Sequence, residues 1–149
     1  GVPLDKTEAV KWYRKAAEQG DAQAQLQLGE MYAKGDGVPK SQKEAIKWYR
    51  MAAEQGFAMA QACMGIVYLE GGEGCPKDDA LAYMWTNLAL SSAEEDKALT
   101  YRLILGNYAK LMSKETIAEG QKLSREWVAR KAKEEEELRR MEEAGEPCE

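Results

Sequence analysis

The ten residues KWYRKAAEQG at Lys11–Gly20 return with one change as KWYRMAAEQG at Lys47–Gly56. The two copies lie 36 positions apart, and 20 of the residues 1–36 are identical in 37–72. A period between about 20 and 50 residues marks a chain of stacked units, none able to bury its apolar face alone. A third, weaker copy follows at an offset of 37, with Pro76, Ala82, Trp85 and Ala89 in the places of Pro39, Ala45, Trp48 and Ala52. The extra residue falls in the Gly71–Gly74 loop, where insertion costs least.

Each copy reads as a helix pair. The first helix, A, starts at capping boxes formed by Asp5 with Glu8 and Ser41 with Glu44, and it ends at Gly20 or Gly56. Asp78 caps the third copy, with Leu81 at the Glu position. Ala9, Trp12, Tyr13, Ala16 and Ala17 share one helical face, as do Ala45, Trp48, Tyr49, Ala52 and Ala53. The second helix, B, starts at Asp21 or near Phe57 and carries a mid-helix glycine at one register, Gly29 and Gly65. Such a glycine costs about 1 kcal/mol against Ala, so its recurrence predicts a close approach by a neighbouring helix or ring. The fold class predicted is all-α: an α/α solenoid of antiparallel helix pairs ending in a long closing helix.

The end of the array departs from the pattern. A helix over about 94–112 carries Leu99, Leu103, Ile104, Leu105, Tyr108 and Leu111, without the A-x-A-Q signature of the earlier B helices. Terminal repeats are expected to be atypical, with a polar outer face. Ser113 caps a last helix whose inner face holds Ile117, Gly120, Leu123, Ser124, Trp127 and Val128, expected to cover the last repeat. The organisation predicted is a repeat domain over 1–132, with units near 1–36, 37–73 and 74–112 and a closing helix at 113–132. A charged tail, 133–149, reads as a solvated helix extension that frays before Pro147, or as an arm for a partner.

The net charge of −5 argues against nucleic acid as main partner, because phosphate binding needs a basic face. Residues 131–149 hold eight acids and four bases, which leaves the body nearly neutral. No segment has the roughly 18 apolar residues of a membrane span. The chain starts at Gly1, inside a repeat unit, so upstream residues can be missing and the lack of a visible signal peptide leaves the compartment unknown.

Histidine is absent, which removes His-paired nucleophiles, His-ligated metals and the commonest general base. The acidic pairs Asp78-Asp79 and Glu94-Glu95 sit at helix starts, where they suit the dipole, and Glu134–Glu137 sit in a charged run. Gly71–Gly74 lacks the lysine and preceding strand of a phosphate loop. No enzyme activity, cofactor or metal is expected. Cys63, Cys75 and Cys148 fit no zinc spacing; Cys63 and Cys75 are either separate thiols or a disulfide, which needs Cα atoms within about 7 Å.

The segments WYRKAAEQG, A-x-A-Q-x-x-x-G and G-x-G-V-P resemble the Sel-one-like repeat family, a relative of the tetratricopeptide repeats. The resemblance is strong over residues 1 to about 90 and weaker through Met112–Ala132, which looks like the closing helix of bacterial members. It implies an α/α superhelix acting as adaptor or scaffold, with periplasmic or exported settings common among bacterial members.

In related superhelices helix A lines the concave groove. Stacking then aligns Lys11, Lys47 and Met84 in one row and Arg14, Arg50 and Asn87 in the next, beside Lys15 and the rims of Trp12, Trp48 and Trp85. Arginine can fork to a carboxylate and asparagine can bond a peptide backbone, so the expected ligand is a protein or peptide, acidic or ending in a carboxylate. The function predicted is a non-enzymatic protein-binding scaffold. The alternative is a self-associating module or part of a longer array, because no preceding helix B covers the first helix A.

Overall fold

The computed structural model describes residues 5–145. Pro147 and Cys148 of the tail, and the Gly1-Val2-Pro3 start of the first repeat, lie outside the described residues. The described residues form seven helices in chain order: α1 (Lys6–Glu18), α2 (Ala22–Lys34), α3 (Gln42–Glu54), α4 (Ala58–Glu70), α5 (Asp79–Ser92), α6 (Glu95–Leu111) and α7 (Lys114–Ala144). The A helices are α1, α3 and α5; the B helices are α2, α4 and α6.

The caps fall where the sequence places them. Ser41, Asp78 and Ser113 accept from the backbone N–H groups of Glu44, Leu81 and Thr116 at 3.0–3.2 Å. Asp5 bonds Thr7 instead of Glu8. Phe57 offers no cap bond, so α4 starts without one.

Each A helix packs on its own B helix, and α3 and α5 pack also on the B helix before them. The second contact joins the repeats, and its main wedge is tryptophan. Trp48 enters the core of the first repeat with Ala17, Ala24 and Leu28. Trp85 enters that of the second with Ala53, Ala60 and Met64, which stand at the same positions. Small residues from one repeat and a large ring from the next fill the space at interior density.

The glycines sit at the closest points of these seams. A Cβ on Gly29 would lie 2.7 Å from the Tyr49 ring, and one on Gly65 would lie 2.5 Å from Thr86 Oγ1. Tyr49 and Thr86 hold the same repeat position, so one register is used twice.

The glutamine of A-x-A-Q is a pin. Gln25 and Gln61 are buried, and their side-chain amides donate to the carbonyls of Ala17 and Ala53 at 3.1 and 3.3 Å. Each of these last-turn carbonyls also accepts from a backbone N–H, that of Gly20 or Gly56, at 3.0 Å, so the glutamine uses its second lone pair. Gln25 Oε1 in turn accepts from Gln55 of the next repeat at 2.8 Å. Gln61 Oε1 has no partner among the described residues, because Ser92 stands where Gln55 stood.

The chain's ends differ from the interior. The closing helix α7 runs unbroken from Lys114 to Ala144, past position 132, and stops at Gly145 in the left-handed region. It packs on α5, so α6 keeps an exposed outer side with Leu99 and Leu103 in solvent. The polar end face expected of a terminal repeat is therefore only partly realised there. Cys63 and Cys75 are both free thiols.

Candidate functional site

The exposed side of the A helices carries the two rows predicted from stacking, but α7 changes what they can reach. Gly120 of α7 lies against α5 so closely that a Cβ would sit 2.8 Å from the Tyr83 ring and 2.9 Å from the Ala80 carbonyl. One turn on, Ser124 Oγ lies 3.4 Å from the Met84 carbonyl. Trp127 then meets Trp85 edge to face, with ring centroids 6.2 Å apart. The third members of the rows, Met84 and Asn87, thus lie at the α5–α7 seam. The rows stay open only over α1 and α3.

At that open part, each arginine is fixed by a tyrosine of its own repeat. Arg50 donates to the Tyr68 hydroxyl at 3.1 Å, and Arg14 donates to the Tyr32 hydroxyl. Each guanidinium also lies over the same tyrosine ring, 5.9 and 5.7 Å from its centroid. Burial pushes the Tyr68 hydroxyl up from its ordinary value, against the pull of Arg50, and keeps it a neutral acceptor. A held guanidinium loses less freedom when its remaining N–H groups meet a ligand. The same tyrosines tie the repeats, since their carbonyls accept from the cap N–H groups of Ser41 and Asp78 at 3.0 and 2.9 Å.

Lys11, Trp12 and Lys15 share one shallow concavity of about 380 Å³ on α1, with Lys15 over the Trp12 ring. Lys47 is exposed and covers the Trp48 ring at 5.2 Å. The three tryptophans part company. Trp12 is 65% exposed, whereas Trp48 and Trp85 are 4% and 3% exposed and serve the core.

A second cleft, of about 370 Å³, opens where α3, α5 and α7 meet. Arg50 and Arg130 stand at its polar rim, and Met84, Trp85, Leu123 and Trp127 supply its apolar walls. Glu54 at its edge pairs with Arg130 and Lys131 of α7 at 3.3 and 3.4 Å. That pairing leaves Arg50 without a carboxylate within ion-pair distance among the described residues.

Stacking rows could not show Trp127 and Arg130, because α7 has no repeat counterpart to align with. Tyr32 and Tyr68 did carry a signal: each follows its arginine by 18 residues. Neither a cluster able to hold a metal nor a helix long and apolar enough to cross a membrane occurs among the described residues.

The Sel1 repeat model matches three consecutive segments, residues 1–21, 22–57 and 58–92. The chain belongs to the Sel1 repeat family. Its members are generally protein–protein interaction modules without catalysis. A protective antigen of uropathogenic Escherichia coli with an SLR fold is similar over 99% of this chain, at 29% identity and a TM-score of 0.77. A Sel1 repeat protein from Oxalobacter formigenes is similar over 68% of it, at 40% identity and a TM-score of 0.62. These matches span only 31% and 39% of the length of those two chains. No curated protein matches the sequence closely enough to be counted as a relative.

Proposed function

We propose that this chain is a non-enzymatic scaffold that holds an acidic peptide, or an acidic chain terminus, along α1 and α3. The observation that carries the reading is the pair of tyrosine-held arginines, Arg14 and Arg50, repeated on one exposed side. Lys11, Lys15 and Lys47 add charge to that side. The cleft beside Arg50 adds apolar walls for a neighbouring side chain. Rigid stacked helices fix the positions, so the ligand is chosen by surface side chains and no bond is broken. The chain is a part of the size of its relatives, and this reading concerns the part.

Fluorescence anisotropy against acidic, neutral and basic labelled peptides tests the idea. Acidic peptides should bind, more weakly as salt rises. The Lys11→Glu/Lys47→Glu variant, with an unchanged melting curve, should lose them. Equal binding by the variant would overturn the placement on helix A.

A further inference from the structure

We propose that the cavity between the ends of α3 and α5 and the second half of α7 is a subsite for a side-chain carboxamide, the glutamine or asparagine of a partner segment. It does not depend on the arginine rows, because the group it takes is uncharged.

The site is a hydrogen-bond position that the repeat builds twice and fills once. In the first interface Gln25 donates to the Ala17 carbonyl, and its Oε1 accepts from Gln55 at 2.8 Å. In the second, Gln61 donates to the Ala53 carbonyl at 3.3 Å, so its amide is held the same way round. The offset of 37 puts Ser92 in the place of Gln55. A serine ends where the glutamine's carboxamide would begin. Gln61, 0% exposed, is left with an Oε1 that has no partner among the described residues. A buried acceptor without a donor is costly, so the position favours whatever supplies one.

Where the missing side chain would lie there is a cavity of about 420 Å³. Gln55, Gly56 and Ser92 line it from the helix ends, and Trp127, Lys131 and Leu138 line it from α7. Trp127 brings a second unsatisfied group, since its indole N–H is buried and has no acceptor among the described residues.

These two groups select the ligand. Gln61 Oε1 needs a donor and the Trp127 indole needs an acceptor, and a carboxamide carries both. A carboxylate has no donor and an ammonium has no acceptor. Lys131, the one cation lining the cavity, is already paired with Glu54 and Glu134 at 3.4 and 2.9 Å, which leaves no free positive charge for an anion. Leu138 and the Trp127 ring offer apolar surface to the aliphatic stem of a glutamine. The contact copies one that Gln55 makes inside the chain at Gln25. Glu54 and Trp127 line both this cavity and the cleft beside Arg50, so one segment can reach both.

NMR titration of isotope-labelled protein tests the proposal, with the Trp127 indole N–H and the Gln61 side-chain amide as reporters. The probe is N-acetylglutamine methylamide, taken to tens of millimolar, where weak contacts register. Its glutamate and methionine analogues serve as isosteres. The glutamine probe should shift both reporters saturably. The isosteres should bind at least about tenfold more weakly, because each leaves a buried polar group unpaired. Ser92→Gln refills the position from within, so it should raise Tm and abolish the saturable shift. Ser92→Ala leaves the cavity open and should bind like the wild type.

Absence of a saturable shift in the wild type overturns the subsite and leaves Gln61 to water. Equal binding of the methionine analogue, or unchanged binding by a folded Ser92→Gln, overturns it too. A loss in Ser92→Gln cannot come from unfolding when its Tm is higher. None of these outcomes touches the acidic-peptide reading, which the Lys11→Glu/Lys47→Glu variant tests separately.

Discussion

Gly65 and Thr86 meet so closely that a Cβ on Gly65 would lie 2.5 Å from Thr86 Oγ1. Thr86 is itself held, donating to the Ala82 carbonyl at 2.9 Å, and that carbonyl would stand 3.3 Å from the same Cβ. The α4–α5 seam therefore has little slack. Gly65→Leu is expected to destabilise the chain by about 1–3 kcal/mol through overpacking. Gly65→Ala should cost less, and adding Thr86→Ala should recover part of that cost. Thermal melts of the three variants decide it; an unchanged Tm for Gly65→Leu would show that the seam is loose.

Gln61 Oε1 lacks the partner that Gln55 gives to Gln25. Ser92→Gln should supply it and stabilise the chain by about 0.5–1.5 kcal/mol, the range of one internal hydrogen bond. Urea titration measures the gain. Adding Gln61→Leu should abolish any benefit of Ser92→Gln, and a benefit that survives would point to another cause.

Trp127 anchors α7 through its edge contact with Trp85. It is half-buried, so Trp127→Ala should cost about 2–3 kcal/mol, below the range for a fully buried tryptophan. Limited proteolysis should then cut within 113–144 sooner than in the wild type, while the first two repeats stay resistant. Equal cutting rates would mean that Gly120 and Ser124 hold the helix without the ring.

Tyr68 holds Arg50 through its hydroxyl. Tyr68→Phe keeps the ring and removes the acceptor, so stability should fall by only about 1 kcal/mol. Acidic-peptide affinity should drop several-fold, because Arg50 must then be ordered by the ligand. Anisotropy titrations report it, and an unchanged affinity would remove Arg50 from the proposed site.

The Cys63 thiol is pushed up to about 11, chiefly by burial and further by the Glu30 charge. Only the thiolate reacts, so in a Cys148→Ser background alkylation of Cys63 at pH 7.5 should be slow. The rate should rise about tenfold per pH unit, levelling near pH 11. Mass spectrometry of quenched samples follows it. Rapid labelling at neutral pH would show that the α4 environment opens readily.

The repeat legible in the sequence carries most of the fold. Helix starts at Ser41, Asp78 and Ser113, the glycine seams and the tryptophan face all follow from 36-residue spacing and local chemistry. Repetition makes a long-range contact readable, because each interface is a neighbour contact copied along the chain. The candidate site was legible only in part. The rows of Lys11 with Lys47 and Arg14 with Arg50 come from that same copying. Their tyrosine partners needed the spatial pairing of A with B within one repeat.

What the sequence alone determined is the unit: two amphipathic helices, their caps, and the small residues that let the next pair approach. Tertiary structure alone decided where the copying stops. The closing helix could have packed on α6 or on α5, since both offer apolar residues. Gly120 and Ser124 allow it to press against Ala80, Tyr83 and Met84. That choice leaves Leu99, Leu103 and Gly106 exposed and buries Trp85 under Trp127. It depends on shape matching between segments that share no repeat register, and no spacing in the sequence records such a match.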